Sequence, residues 1–432
     1  MKRALAFGLA ALFGCGLVAR DARGAGLSRP NIVGARAVGM GGAFTGIADD
    51  PTAVWHNPAG TALYGDNVGY VGLEIVAPQR TYTPDASSTL GQAGLTKPIL
   101  ENSAPNTIPV IGFSTRFGFG KTAPTRFAFS LLAYDPYGGS ISFRPSDISS
   151  SMIDPNTGKP KVLGLQSTQI LDFELTPTLA YQVSDVFSVG AGLRIGINSF
   201  SVNDTEPAFG ATLSGSGVGL GGILGVMLRP HRLVQIGAVY RTPMSVSISG
   251  SGPLIIGSGP TATKLNPEFG LDITWPQSAG LGVTVFPHRR LMMSVQADWT
   301  GWSSVQTLTI DLPGLPTVKE MRYMDTYALH VGVQGVITRF LVLRAGGALD
   351  SNAIPDRTLR RENQDNLKAT VAAGFGLHFW RIFIDGAFEL LVPGPPRVVS
   401  TPAISAAGAQ ENETGQYSAV VYTAELSAQI RF

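Results

Sequence analysis

The chain has 432 residues and nearly balanced charge, 32 Lys and Arg against 30 Asp and Glu for a formal net of +2, so neither nucleic acid nor an acidic substrate is indicated. Only 14% of residues are charged, well under the roughly 25% of soluble domains, while 44% are apolar and 53 are glycine. Beyond the N-terminus no apolar run reaches the roughly 18 residues of a membrane-spanning helix, which leaves a membrane β-barrel, whose apolar side chains are diluted by alternation with polar ones.

In chain order, Lys2 and Arg3, the apolar run from Ala4 to Gly14 and the small-residue site Ala22-Arg23-Gly24 read as an export signal over residues 1–24, cut before Ala25. Cys15, the single cysteine, falls inside it, so the mature chain would carry no disulfide or thiol chemistry. Acylation of Cys15 as a lipoprotein signal is the competing reading, and the bulky Phe13 beside it is atypical of that. Residues 25–65 follow as a hatch. Gly34, Gly39, Gly41 and Gly42, interleaved with Ala35, Ala37 and Ala43, are too glycine-rich for a free helix, since each Gly costs about 1 kcal/mol relative to Ala, but they allow close packing against a surrounding wall. Asp50 before Pro51 and Asn57 before Pro58 place a capping side chain ahead of a proline, which predicts two short helical turns.

The ordered set Gly34-Ala35-Arg36-Ala37, Gly39-Met40-Gly41-Gly42-Ala43-Phe44, Asp49-Asp50-Pro51 and Asn57-Pro58-Ala59-Gly60 resembles the N-terminal hatch of FadL-type outer-membrane transporters of long-chain fatty acids and aromatic hydrocarbons.

From residue 66 to 432 the pattern has period two. Val420, Tyr422, Ala424, Leu426, Ala428, Ile430 and Phe432 alternate with Val421, Thr423, Glu425, Ser427, Gln429 and Arg431, one face suited to lipid and the other to water. The same alternation runs from Phe187 to Ile197 and around Met293, Val295, Ala297 and Trp299. Six short connectors, at 118–124, 184–185, 229–232, 287–290, 338–339 and 380–381, alternate with seven long ones near 78–106, 137–163, 200–212, 249–266, 310–322, 351–366 and 393–415. Together they predict an all-β membrane protein, a 14-stranded antiparallel transmembrane barrel with turns in the periplasm, loops outside and a short helical hatch plugging the lumen. A lumen of that size would leak unless plugged.

Three later stretches extend the resemblance over nearly the whole chain: Phe127 through Pro136-Tyr137-Gly138; Trp275-Pro276 followed by Asp298-Trp299-Thr300-Gly301-Trp302-Ser303; and Arg344-Ala345-Gly346 with Asp350 and Pro355-Asp356. It implies passive, hatch-gated uptake of a lipophilic molecule across the bacterial outer membrane, with sideways exit through a gap in the wall. Asn57, Pro58 and Ala59 are the gate residues by motif, joined by Gly41, Gly42 and Arg36; Arg36, the sole charge between residues 31 and 48, is expected to pair with the wall or to sit exposed at the periplasmic mouth. Pro136, Gly138 and Gly139 are candidates for the lateral opening, because Pro lacks a ladder donor and Gly weakens a strand. A terminal Phe432 resembles the signal read by the barrel assembly machinery.

Charges on the lipid face cost about 2–4 kcal/mol near the midplane, so Arg194, Asp298, Arg344, Asp385 and Glu389 are expected to line the lumen as ion pairs. Leu254, Ile255, Ile256 and the 90–100 region supply apolar loop residues for capture. No hydrolase, zinc or phosphate-loop motif is present, and the five scattered histidines have no ligand spacing, so no catalytic residue, metal or cofactor is expected. An esterase built on His330 or His378 is a minor alternative. The expected partners are a hydrophobic small molecule and outer-membrane lipids, with the chain a monomer; a barrel that anchors or escorts secreted proteins is the other reading.

Overall fold

A computed structural model describes residues 30, 32–63, 67–92, 94–101, 103–118, 125–143, 165–206, 209–256, 262–313, 317–392, 395–400 and 412–432. The export-signal reading, Cys15 and several loop tips lie outside these residues.

Among these residues, twenty-two strand segments form one sheet. They assemble as fourteen antiparallel staves: β1 Val68–Pro84, β2 Asn106–Phe117, β3 Phe127–Ser142, β4 Leu165–Ser184, β5 Phe187–Glu206, β6 Phe209–His231, β7 (Val234–Arg241 and Met244–Ser251), β8 (Glu268–Trp275 and Ser278–His288), β9 Leu291–Thr300, β10 Thr326–Val336, β11 Leu341–Asp350, β12 Lys368–Phe379, β13 Ile382–Val392 and β14 Gly415–Arg431. The remaining short segments decorate the loops. Prolines mark the two interruptions: Pro243 follows Thr242 in β7 and Pro276 precedes Gln277 in β8, where a missing N–H breaks the ladder. The ring closes along the whole length of β1 and β14, from Val68 opposite Arg431 to Pro84 opposite Gly415.

Polarity is inverted relative to a protein in water. On β14, Thr423, Glu425, Ser427 and Gln429 are buried, while Leu426 is 58% exposed between them. Leu220, Val218 and Leu349 are likewise turned outward. That is the outward apolar band and polar interior of a barrel in hydrocarbon.

The loop expected at 200–212 is largely strand. β5 and β6 pair without interruption from Phe187–Leu228 to Glu206–Phe209, and Phe200, Ala211 and Leu213 bury apolar side chains along that stretch. The connector at 310–322 also contains a hairpin, Thr307–Asp311 with Thr317–Glu320.

Residues 32–63 fill the lumen, with α1 Ala35–Gly39, α2 Ala53–His56 and α3 Gly60–Leu63 separated by turns. Asp50 Oδ1 accepts from the Thr52 N–H at 2.9 Å and Asn57 Oδ1 from the Ala59 N–H at 3.2 Å, the local bonds that start each turn. α1 packs against β11 to β14, and α3 against β3 to β6.

Candidate functional site

Backbone approaches backbone where the hatch meets the wall. Gly41 adopts φ +61°, and a Cβ there would lie 2.4 Å from Gly347 N; opposite it, a Cβ on Gly346 would lie 2.3 Å from the Met40 carbonyl carbon. Only glycine permits that spacing. Gly42, at φ +87°, faces the His330 ring in the same way.

The tethers are side chains of the wall reaching hatch backbone. Gln296 Oε1 accepts from Phe44 N–H and Thr45 N–H at 2.9 and 2.7 Å, and Ser188 Oγ donates to Ala59 O at 2.8 Å. His330 bridges, with Nδ1 2.8 Å from Gly41 O and Nε2 3.1 Å from the Asp298 carboxylate. A carbonyl oxygen can only accept, so Nδ1 carries a proton. Arg241 donates to Trp55 O while its guanidinium lies 3.8 Å over the Trp55 ring. From the hatch side, Asn57 Nδ2 donates to Val226 O of β6 at 2.9 Å and to Thr45 O at 3.2 Å. Pro58 and Ala59 follow it against β5 and β6: a Cβ on Gly190 of β5 would lie 2.6 Å from Ala59 N.

Arg36 closes its pair within the hatch rather than onto the wall. Its Nη1 lies 2.6 Å from Asp49 Oδ1 and 3.1 Å from Asp50 Oδ2, and it is neither a wall tether nor exposed at the mouth. The reason is local: the turn at 45–52 folds the adjacent acids of positions 49 and 50 back over α1. Burial opposes the Arg36 charge, and the two carboxylates more than offset it, holding the guanidinium protonated. Asp50 is itself pushed above the usual carboxylate range by burial, with Arg36 pulling the other way. Burial holds the His56 imidazole down at about 4, although its hydrogen bond to Val33 O at 2.8 Å favours the charged form.

The wall is incomplete beside β3. β2 and β3 pair only from Phe117–Phe127 to Ile111–Ala133, whereas β2 continues to Asn106 with β1 alone. On the other side of β3, Asp135 and Pro136 together oppose one residue of β4, a bulge between the Tyr134–Glu174 and Tyr137–Asp172 pairs. Leu132 to Gly138 are all buried, so the strand is drawn inward instead of alternating against lipid. An isolated bridge between Glu101 and Phe143 spans the gap again above. The result is a window bounded below by Ile111–Ala133 and above by Glu101–Phe143, with Pro136, Gly138 and Gly139 on its edge. Arg80 fastens the upper margin, bonding Glu101 at 3.0 Å and Ser140 O at 3.4 Å.

Between hatch and window stands a column of rings. Trp55 lies 5.5 Å from Tyr134 and 6.1 Å from Tyr137; Tyr137 stacks on Trp275 at 5.0 Å and 15°, and meets Trp302 edge-on at 6.3 Å. Above them a cavity of about 770 Å³, including its open mouth, is lined by Ile141, Ile170, Phe200, Leu308, Met321 and Ile354, with Arg80, Lys319 and Gln364 as polar members. Among the described residues, neither amide atom of Gln364 has a hydrogen-bond partner. A second, hydrophilic cavity of about 640 Å³ lies beside the hatch against β7 to β11 and includes His56, Gln296, Asp298 and His330.

The charges placed in the lumen are all buried there except Asp298, which borders the hydrophilic cavity. Arg194 pairs with Glu174 of β4, and Arg344 with Asp385 at 2.8 Å. Glu389 is buried on the same inner face of β13 as Asp385. Leu254, Leu90 and Leu95 are spent on packing within the loop cluster, leaving Ile256 and Leu100 exposed. Sequence reasoning missed Gln296, Ser188 and Arg241 as tethers and Gln364 in the cavity. Gln296 lies on the inward face of β9, but a contact spanning 252 residues has no local signature.

A closed barrel with polar ion pairs inside, an apolar belt outside, a tethered plug and a break in one wall defines a class: an outer-membrane channel for molecules more soluble in lipid than in water. The chain belongs to the outer membrane protein transport protein family (OMPP1/FadL/TodX), whose model matches residues 17–432. Members are outer-membrane transporters of hydrophobic compounds. The fold is similar to that of a FadL homologue from Pseudomonas aeruginosa, at 19% identity and a TM-score of 0.77, over 94% of this chain and 100% of that one. It is also similar to the toluene transporter TbuX of Ralstonia pickettii, at 17% identity and 0.70 over 94% and 99% of the two chains, and to the toluene transporter TodX of Pseudomonas putida, at 16% identity and 0.71 over 94% and 100%. No curated protein matches the chain.

Proposed function

We propose that this chain carries lipophilic molecules, long-chain fatty acids or similar compounds, passively from the cell exterior into the outer membrane, with the hatch as gate and the β3 window as exit. The observation that carries this reading is the apolar cavity ending at Gly139 and Ser140 on the edge of the window. An apolar cargo gains free energy by entering the bilayer and loses it by crossing a wet channel, so a sideways exit is the downhill one. Asn57, Pro58 and Ala59 hold the hatch shut, with Gly41 and Gly42 giving it close seating and Arg36 keeping its own fold. A cavity of this size favours transport over escort of secreted proteins. In the same reading residues 1–24 serve export, Phe432 serves assembly and the mature chain acts as a monomer.

The test is removal of Pro136. β3 has one residue too many opposite β4 at the bulge, so the deletion lets the strand pair straight through. Uptake of a radiolabelled long-chain fatty acid and of toluene by cells expressing the variant should fall to the level of cells without the protein, while the barrel still folds. Uptake of either at the wild-type rate through a straightened β3 would overturn lateral exit.

A further inference from the structure

The periplasmic end of the barrel carries a charge bias that the transport path does not use. Among the described residues between paired strands at that end, six are arginine (126, 232, 289, 290, 339 and 381) and one, Asp185, is acidic. Two of these arginines stand on neighbouring turns. His378 N–H donates to Phe340 O at 2.9 Å, joining the β10–β11 turn to the end of β12, and the Phe340 and Phe379 rings stack at 6.1 Å. Arg339 lies 4.4 Å over the Phe340 ring, and Arg381 lies 5.1 Å over that of Trp380. Neither guanidinium has an acidic partner among the described residues.

The rings themselves are outward. Trp380 is 88% exposed, at φ +54°, and Phe340, Phe379 and Ile382 beside it are each close to half exposed on the lipid face. Rings at this level sit among lipid headgroups, and each holds its guanidinium flat at that depth. A guanidinium matches a phosphodiester in charge and in bidentate geometry, and the second adds attraction for a headgroup of net negative charge. A headgroup bearing its own ammonium is repelled by the same pair.

We propose that Arg339 and Arg381, with Phe340, Phe379 and Trp380, seat one anionic glycerophospholipid of the periplasmic leaflet, its phosphate against the two guanidiniums and its acyl chains on the rings. The site is separate from the cavity and window, and it stands or falls apart from the direction of transport.

The experiment is native mass spectrometry of the delipidated full chain, titrated with an equal mixture of phosphatidylglycerol and phosphatidylethanolamine of identical acyl chains. Wild type should retain one phosphatidylglycerol in preference by about thirtyfold, as expected for two arginines at an anionic headgroup. Arg339→Gln with Arg381→Gln should bring the preference close to unity, whereas Arg232→Gln with Arg289→Gln, on distant turns, should leave it. No preference in wild type, or an equal loss in the distant pair, would overturn a site and leave only diffuse rim charge. Heat-modified gel mobility establishes folding of each variant; if the first pair does not fold, Arg381→Gln alone should cost about fivefold.

Discussion

At the scale of single residues, the hatch is held by groups whose protonation matters. His56 stays neutral because it is buried, with its folded-state value near 4 against an ordinary 6.5 in water. A depressed folded value means that the docked hatch keeps its full stability above about pH 6.5 and loses it as pH falls toward 4, by up to roughly 3 kcal/mol over that window. Asp50 shifts upward and therefore titrates in the opposite sense, its protonation at falling pH favouring the docked form. Conductance in planar bilayers should rise between pH 7 and pH 4.5, and His56→Gln, which keeps a donor toward Val33 O but cannot titrate, should remove that part of the rise. An identical pH profile in the two proteins would show that His56 does not report on docking. Asn57 marks how far such residues could be read from sequence. Its place before Pro58 announced the Asx turn to Ala59, but the bond to Val226 depends on a strand 169 residues away. Arg36 was misassigned for the converse reason, since its partners Asp49 and Asp50 sit close by in sequence but reach it only through the fold of the hatch.

At the scale of elements, the close seating of hatch on wall rests on bare backbone. A Cβ on Gly346 would fall 2.3 Å from the Met40 carbonyl carbon and 2.4 Å from Gly41 N, neither of them the movable end of a side chain. Gly346→Val should therefore push the hatch off β11 at a cost of about 1–3 kcal/mol, the usual range for overpacking. Its signature is raised passive conductance with a barrel that still folds; closed channels like those of wild type would mean that the wall yields instead. The strands were largely legible, because inward Glu425, Ser427 and Gln429 against outward Leu426 and Ile430 is a pattern that survives in any register. The extent of β5 and β6 was not, since Asn203, Asp204 and Pro207 look like loop chemistry and the pairing that overrides them belongs to the facing strand. The window was half legible. Pro136 announced a fault in β3, but the missing partner is a property of β2, whose outer half pairs with β1 alone.

At the scale of the whole molecule, hatch and ring are separable in energy if the buried ion pairs Arg194–Glu174 and Arg344–Asp385 sustain the ring by themselves, since both partners of each pair are wall residues. A chain lacking residues 31–62 should then still fold and insert, while passing small hydrophilic solutes that wild type excludes in a liposome-swelling assay. Failure of that chain to fold, with no barrel recovered from the membrane, would show that the hatch is part of the core. The 17-residue seam between β1 and β14 bears on the same question from the side of time. Its two edges lie at opposite ends of the barrel sequence, so among the strand pairings this one spans the most chain and carries the greatest loop-closure cost. The hatch precedes β1, and its backbone lies against wall glycines with no room for a Cβ between them. Seating that close is set as the seam shuts, so the hatch is enclosed by the closing ring rather than inserted afterwards, even where the ring can close without it.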